Sequence, residues 1–198
     1  MHRWSDRNLT LLELSAALLL IAFFIGVFAR HVLIIFARAE STMVSATVIN
    51  INTALNYNAV LAVLNNNMDK LAALETMNAM SVVRAPVTKA DTGEHGQNEF
   101  LNQQFHNWMP GNYLGELAAP DPDMIPGGKW YFDRVDNLLV YRVNNPEYFY
   151  SELEGAPRIR FRVRVVYEDV NIDGKYDPAI DKFRTVKLES AEHFEWRF

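Results

Sequence analysis

From Leu9 to Phe28 the chain reads Leu-Thr-Leu-Leu-Glu-Leu-Ser-Ala-Ala-Leu-Leu-Leu-Ile-Ala-Phe-Phe-Ile-Gly-Val-Phe, with Glu13 as its one charged residue. As a helix rising about 1.5 Å per residue, this stretch covers the roughly 30 Å hydrocarbon core of a bilayer. A cleaved secretory signal has a shorter apolar region followed by a small-residue cleavage site. Here Arg30-His31 leads straight into a second apolar run, Val32 to Phe36. The expectation is a retained single-pass membrane helix whose transmembrane part covers 9–36. His2, Arg3 and Arg7 precede it, opposed only by Asp6. The positive-inside tendency therefore puts a leader, residues 1–8, in the cytoplasm, although Arg30 and Arg38 weaken the bias. The remainder is then expected in the periplasm of a bacterial cell, anchored in its inner membrane.

Beyond the span, Val44, Val48, Ile51 and Leu55, then Leu61, Leu64, Met68, Leu71 and Leu74, recur every three or four residues. That spacing marks one face of a helix, so the membrane helix continues. Asn65-Asn66-Asn67 has poor helix propensity and divides it into one helix over about 9–64, roughly 84 Å long, and a second or a continuation over 68–80. The amphipathic portion is thus 37–80. The stripe reads as core-facing, with a parallel coiled coil as the alternative. At 198 residues the chain has room for an anchor and one globular unit. A net charge of -5 leaves no large basic surface, which sets nucleic acid aside. The chain has no cysteine, hence no disulfide framework and no thiolate metal site.

Glu13 is the anomaly, because a carboxylate inside a spanning helix costs on the order of 2.5 to 3.5 kcal/mol on insertion scales. It either snorkels to the headgroups or serves a purpose. Leu9-Thr10-Leu11-Leu12-Glu13-Leu14, after a short charged leader and before a long apolar helix, resembles the N-terminus of type IV pilins and type II secretion pseudopilins. The resemblance implies that prepilin peptidase removes the leader between Asn8 and Leu9. It also implies that Leu9 and Thr10 begin the mature chain, and that Glu13 pairs with the N-terminal amine of a neighbouring subunit during assembly. Asn8 departs from the pattern, since glycine or sometimes alanine stands there in the family. An uncleaved chain has no free amine at Leu9.

Residues 81–128 form an irregular region punctuated by Pro86, Gly93, Gly96, Pro110, Gly111, Gly115, Pro120, Pro122, Pro126 and Gly127-Gly128, with a short helix over Glu99 to Trp108. His95 and His106 within it fit no common metal-ligand spacing. From Lys129 the pattern is β. Trp130 to Asp133 and Leu138 to Val143 read as a hairpin. Ile159, Phe161, Val163 and Val165 alternate with Arg158, Arg160, Arg162 and Arg164, the period of a half-buried strand. The arginine row either keeps that face soluble or meets an acidic partner. Phe183 to Leu188 and His193 to Phe198 supply the last strands of an antiparallel sheet over 129–198. The fold expected is α+β, a long N-terminal membrane-spanning helix packed on a periplasmic antiparallel β-sheet, and this layout is similar to that of pilins. The Trp130 to Asp133 and Leu139 to Val143 segments resemble hairpins in accessory, pseudopilin-like biogenesis proteins of the mannose-sensitive haemagglutinin pilus system.

One loop carries candidate chemistry. Asp169, Asn171, Asp173 and Asp177 occupy positions 1, 3, 5 and 9 of an EF-hand-type calcium loop, with Gly174 at 6 and Lys175 able to offer a carbonyl at 7. Position 12 is Ile180, and Asp181 one step on is the substitute. Calcium would pin the loop in a structural role. The alternative is an Asp173-Gly174 hairpin turn with no metal. No other cofactor is expected. The chain has no nucleophile elbow, phosphate-cradling glycine loop or zinc-protease helix, and is read as non-enzymatic. Two roles follow: a pilin-like or pseudopilin-like structural or assembly component whose partners are similar subunits, or an uncleaved single-pass platform that binds other inner-membrane biogenesis proteins. A calcium-binding periplasmic module on a membrane anchor is the third.

Overall fold

The computed structural model describes residues 10–84 and 109–198, apart from 175 and 178. The leader, the Glu99 to Trp108 helix, His95 and His106 lie outside these residues. Helix α1 runs unbroken over Leu11–Leu64, 54 residues or about 81 Å, with Gly26 its one glycine and no proline. It stops at the asparagines as the sequence predicts. Asn66 takes a left-handed backbone, φ 51°. The Asn66 amide returns to the Val63 carbonyl at 3.1 Å and the Asn67 amide to the Ala62 carbonyl at 2.8 Å. Those two bonds form a Schellman stop, in which asparagine tolerates the conformation that glycine usually supplies.

The helix expected over 68–80 is broken into α2 (Asp69–Ala73), a 3₁₀ turn Leu74–Thr76 and α3 (Ala79–Arg84). Asn78 causes the break. Its side-chain oxygen accepts from the Met80 amide at 2.9 Å, an N-terminal helix cap. Its amide donates to the Tyr113 hydroxyl at 2.8 Å and to Glu116 Oε1 at 2.9 Å.

The strands are β1 (Tyr113–Leu117), β2 (Lys129–Asp133), β3 (Leu138–Arg142), β4 (Phe149–Ser151), β5 (Arg158–Glu168), β6 (Lys182–Ser190) and β7 (Phe194–Trp196). Five form one sheet in the order β1-β2-β3-β5-β6. This sheet corrects the antiparallel expectation, because β1 lies within the segment read as irregular and pairs parallel with β2, Tyr113 facing Trp130 and Glu116 facing Phe132. A strand of five residues with Gly115 at φ +98° and an irregular register gave no alternating signal to read. The other pairings of this sheet are antiparallel. The terminal strand β7 does not extend it, and pairs with β4 as a separate ribbon.

One face of the sheet, built from Trp130, Tyr141, Phe161, Val163, Val186, Leu188 and their neighbours, packs under Val44, Ile51, Leu55 and Ala59 of α1. Trp130 sits between Tyr141 and Phe161, with ring centroids 4.9 and 5.7 Å away. Burying a side chain such as Ile51 or Leu55 contributes about 2 kcal/mol. The opposite face, with Tyr131, Leu138 and Val140, is covered by Ile125 from the β1–β2 connection.

Apolar packing has no direction, so polar contacts must set where α1 sits along the sheet. Glu40 is 7% exposed. Its Oε1 accepts from the Tyr141 hydroxyl at 2.8 Å and the Asn144 amide at 2.6 Å. Its Oε2 accepts from the Asn145 backbone and side-chain amides at 3.0 and 2.6 Å. Burial first, and then the Glu40 carboxylate, push the Tyr141 hydroxyl above its ordinary range, so it stays protonated and donates. The Asn144 segment is backed by Gly127, where a Cβ would come within 2.8 Å of the Asn144 Cα. That approach admits no side chain.

Farther along, Asn52 Oδ1 accepts from the Leu188 amide at 2.7 Å, and the Asn56 amide donates to the Val186 carbonyl at 3.0 Å. The Thr185 hydroxyl also donates to Asn56 Oδ1, at 2.6 Å. Four helical residues rise about 6 Å and two strand residues about 6.7 Å. Asn52 and Asn56 therefore step in time with Leu188 and Val186, and act as a surrogate strand along the outer edge of β6. An open edge invites pairing with another chain, and these side chains occupy it.

Replacing Glu40 by Ala strands four donors and should lower the unfolding free energy by about 3 kcal/mol, with Glu40→Gln costing roughly half, as read by denaturant unfolding. Asn52→Ala and Asn56→Ala should each cost about 1 kcal/mol, and the first should speed hydrogen exchange at the Leu188 amide selectively.

Candidate assembly face and acidic loop

The sequence-predicted site at the start of α1 is a helix cap in the structure. Thr10 is the N-cap residue; its hydroxyl accepts from the Glu13 amide at 3.3 Å, and Glu13 Oε2 accepts from the Thr10 amide at 2.9 Å. This reciprocal pair is a capping box, which satisfies two of the four orphan donors of the first turn and sets a negative charge at the positive end of the helix dipole. Glu13 thus has a partner within its own chain. Asn8 and Leu9 lie outside the described residues.

From Leu11 to His31 every side chain of α1 is exposed, and the segment is long and apolar enough to cross a membrane. The globular part covers α1 only from Ala37 onward, where Ala37, Glu40, Val44, Thr47, Ile51, Leu55, Ala59 and Ala62 are buried. The other side of the same stretch presents Ala39, Thr42, Met43, Ala46, Ile49, Thr53, Val60 and Leu64. Ile49 is 63% exposed and Leu64 74%. Between Ser41 and Met68 the chain contains no Asp, Glu, Lys or Arg at all. An exposed helix face is ordinarily polar and charged. This one carries no charge: small and aliphatic side chains alternate with Thr42, Ser45 and Thr53, whose hydroxyls donate to carbonyls of the same helix.

The acidic loop spans the whole connection from β5 to β6, so Asp173-Gly174 is not a two-residue hairpin turn. Asp169 Oδ2 accepts from the Gly174 amide at 2.8 Å and Asp169 Oδ1 from the Asp173 amide at 3.3 Å. The Asn171 side-chain amide donates to Asp173 Oδ2 at 3.1 Å. Asp169, Asn171 and Asp173 are therefore brought together. Asp177 and Asp181 belong to the loop's other half. Asp181 is buried, and its Oδ1 and Oδ2 accept from the amides of Val170 at 2.9 Å and Asp177 at 2.7 Å. It pins the base of the loop whether or not a cation sits above. Lys175 lies outside the described residues. Among the described residues no group of three or more His, Cys, Asp and Glu side chains is placed to hold a metal ion.

Two of the four arginines in the row are paired with carboxylates of the chain. Arg160 pairs with Glu192 and, at 3.6 Å, with Asp136. Arg164 meets Glu189 at 3.2 Å, and the Arg158 guanidinium donates to the Glu154 and Ala156 carbonyls. Arg162 is exposed. Sequence reasoning missed Glu40, Asn52 and Asn56. Glu40 had a signal, as the last charge before a long uncharged run. The asparagines had none, because their partners are the backbone of a strand more than a hundred residues away.

Comparison of the chain with protein families, with characterised proteins and with solved structures finds no match.

Asp181→Ala should unfold the protein about 2 kcal/mol more easily, since it orphans two backbone donors, and should release protection of the Val170 and Asp177 amides in hydrogen exchange.

Proposed function

We propose that this protein is a pilin-like or pseudopilin-like structural or assembly component of a type IV pilus or type II secretion machine, held in the bacterial inner membrane by the first half of α1 with its sheet domain in the periplasm. The observation that carries this reading is the uncharged outward face of α1 from Ala39 to Leu64, continuous with the apolar segment. A contiguous uncharged face of that kind marks a site of packing against protein or membrane. A helix that offers it along its full length suits packing against copies of itself or related helices, first in the membrane and then in an assembly. The buried side of α1 is committed to its own sheet, so the two sides divide the work.

A second reading is an uncleaved platform protein that binds other biogenesis proteins without entering a filament. The capping box favours it, because a Glu13 already bonded to Thr10 needs no amine from a neighbour. Intact mass and N-terminal sequencing of the membrane-extracted protein discriminate: a methylated start at Leu9 supports the pilin-like role, and a start at Met1 in strains with and without prepilin peptidase moves the assignment to the platform.

For the assembly face, Ile49→Asp should leave the isolated domain's stability within about 0.5 kcal/mol, because the side chain is exposed. The same substitution should abolish cross-linking of the protein to its helical neighbours in the membrane. Wild-type cross-linking by this variant would remove the outward face as the site of packing.

A further inference from the structure

We propose that the β4–β7 ribbon is a seat on the lipid headgroup layer, which sets the sheet domain against the membrane surface where α1 emerges. The inference rests on the reading of α1 as a membrane span.

The ribbon's position along the helix comes first. From Leu11 to Arg38 the helix rises about 40 Å, which is the thickness of a bilayer with its headgroups. At that level the Arg38 guanidinium lies over the Phe198 ring, 5.5 Å from its centroid. Two residues on, Glu40 holds Asn144 and Asn145, which lead through the 3₁₀ turn Pro146–Tyr148 into β4. The Arg197 amide donates to the Tyr148 carbonyl at 2.8 Å, tying β7 to the same place. The ribbon is therefore fixed beside the point where the apolar half of α1 ends. The acidic loop lies at the opposite end of the domain, because β6 runs back along α1 from Val186 at Asn56 to Leu188 at Asn52.

The ribbon's chemistry fits that depth. Phe149 packs edge-on to Trp196 at 5.2 Å, and Trp196 stacks on Phe198 at 6.3 Å with the rings 9° apart. Arg197 lies 4.2 Å over the Tyr150 ring. Tyr150 is 42% exposed and Phe198 50%. Phe149 and Trp196 back onto the core, so the rings offered outward are Tyr150 and Phe198. An exposed tyrosine with a flanking arginine settles at a membrane–water interface, ring toward the acyl region and polar end in water. The two strands are three residues each, too short to be stable unsupported. Glu195 offsets Arg197 at 3.0 Å, so the seat depends on the aromatic rings and not on anionic lipid.

The chain has no cysteine, so single labelling sites are available throughout. The full chain is reconstituted in phosphatidylethanolamine–phosphatidylglycerol nanodiscs with a nitroxide at Phe23→Cys, Tyr150→Cys or Ile172→Cys, and depth is read from collision with oxygen against a water-soluble nickel chelate. The expected result is a deep label at 23, an interfacial label at 150 with an oxygen-to-nickel ratio severalfold above that at 172, and an aqueous label at 172. It should persist when phosphatidylcholine replaces the anionic lipid. A deep label at 23 with an aqueous label at 150 overturns the seat and leaves the span intact. An immobile label at 150 shielded from both reagents also overturns it, by placing protein there. An aqueous label at 23 overturns the span itself and the seat with it.

Discussion

The buried carboxylate of Glu40 is the contact on which the arrangement of the molecule turns. No cation accompanies it among the described residues, and an uncompensated charge in such a place costs several kcal/mol. Four donors compensate it, two of them backbone amides of the segment that follows β3. Because those donors exist in one conformation of one loop, the glutamate fixes the position of α1 along the sheet and its rotation about its own axis. Asn52 and Asn56 repeat the instruction along β6. A slip of α1 by one turn would keep much of the apolar contact and lose all of these bonds.

Much of this architecture was legible in the chain. The long helix, its stop at the asparagines, the β2–β3 hairpin and the alternating strand β5 all follow from periodicity and propensity, which are local. The parallel strand β1 escaped because its five residues include a left-handed glycine and its partner lies across an irregular connection. The break at Asn78 escaped because the apolar spacing of Leu71 and Leu74 says where a face points, whereas the cap that ends the helix depends on Tyr113 and Glu116. In the candidate site, Thr10 and Glu13 were singled out for a role between subunits, and the structure adds a bond between them. Asp181, a candidate ligand by its spacing, is in the structure the staple of its loop. Long-range side-chain to backbone contacts leave no trace in composition, so the polar contacts that set the helix register were visible only in three dimensions.

The two sides of α1 obey different rules. Toward the sheet it alternates aliphatic side chains with a few polar groups, each given a specific partner. Away from the sheet, from Ala39 to Leu64, it carries no charge, its Thr42, Ser45 and Thr53 hydroxyls are turned back onto the helix's own carbonyls, and the residues are small or flexible enough to meet a neighbour at close range. In the arginine row on β5, Arg160 and Arg164 are paired within the chain with Glu192, Asp136 and Glu189. The proposed contacts of the protein therefore gather around the helix and the point where its apolar half ends, and the far loop stands apart from them.

The unbroken course of α1 also has a mechanical meaning. A helix without proline, with Gly26 as its one glycine and a carboxylate bolted to the sheet at Glu40, behaves as a shaft. Rotation or axial pull applied to its apolar end reaches the domain almost undiminished, since the hydrogen-bonded ladder stores little twist between them. Any machine that grips the apolar half therefore turns and tilts the sheet with it.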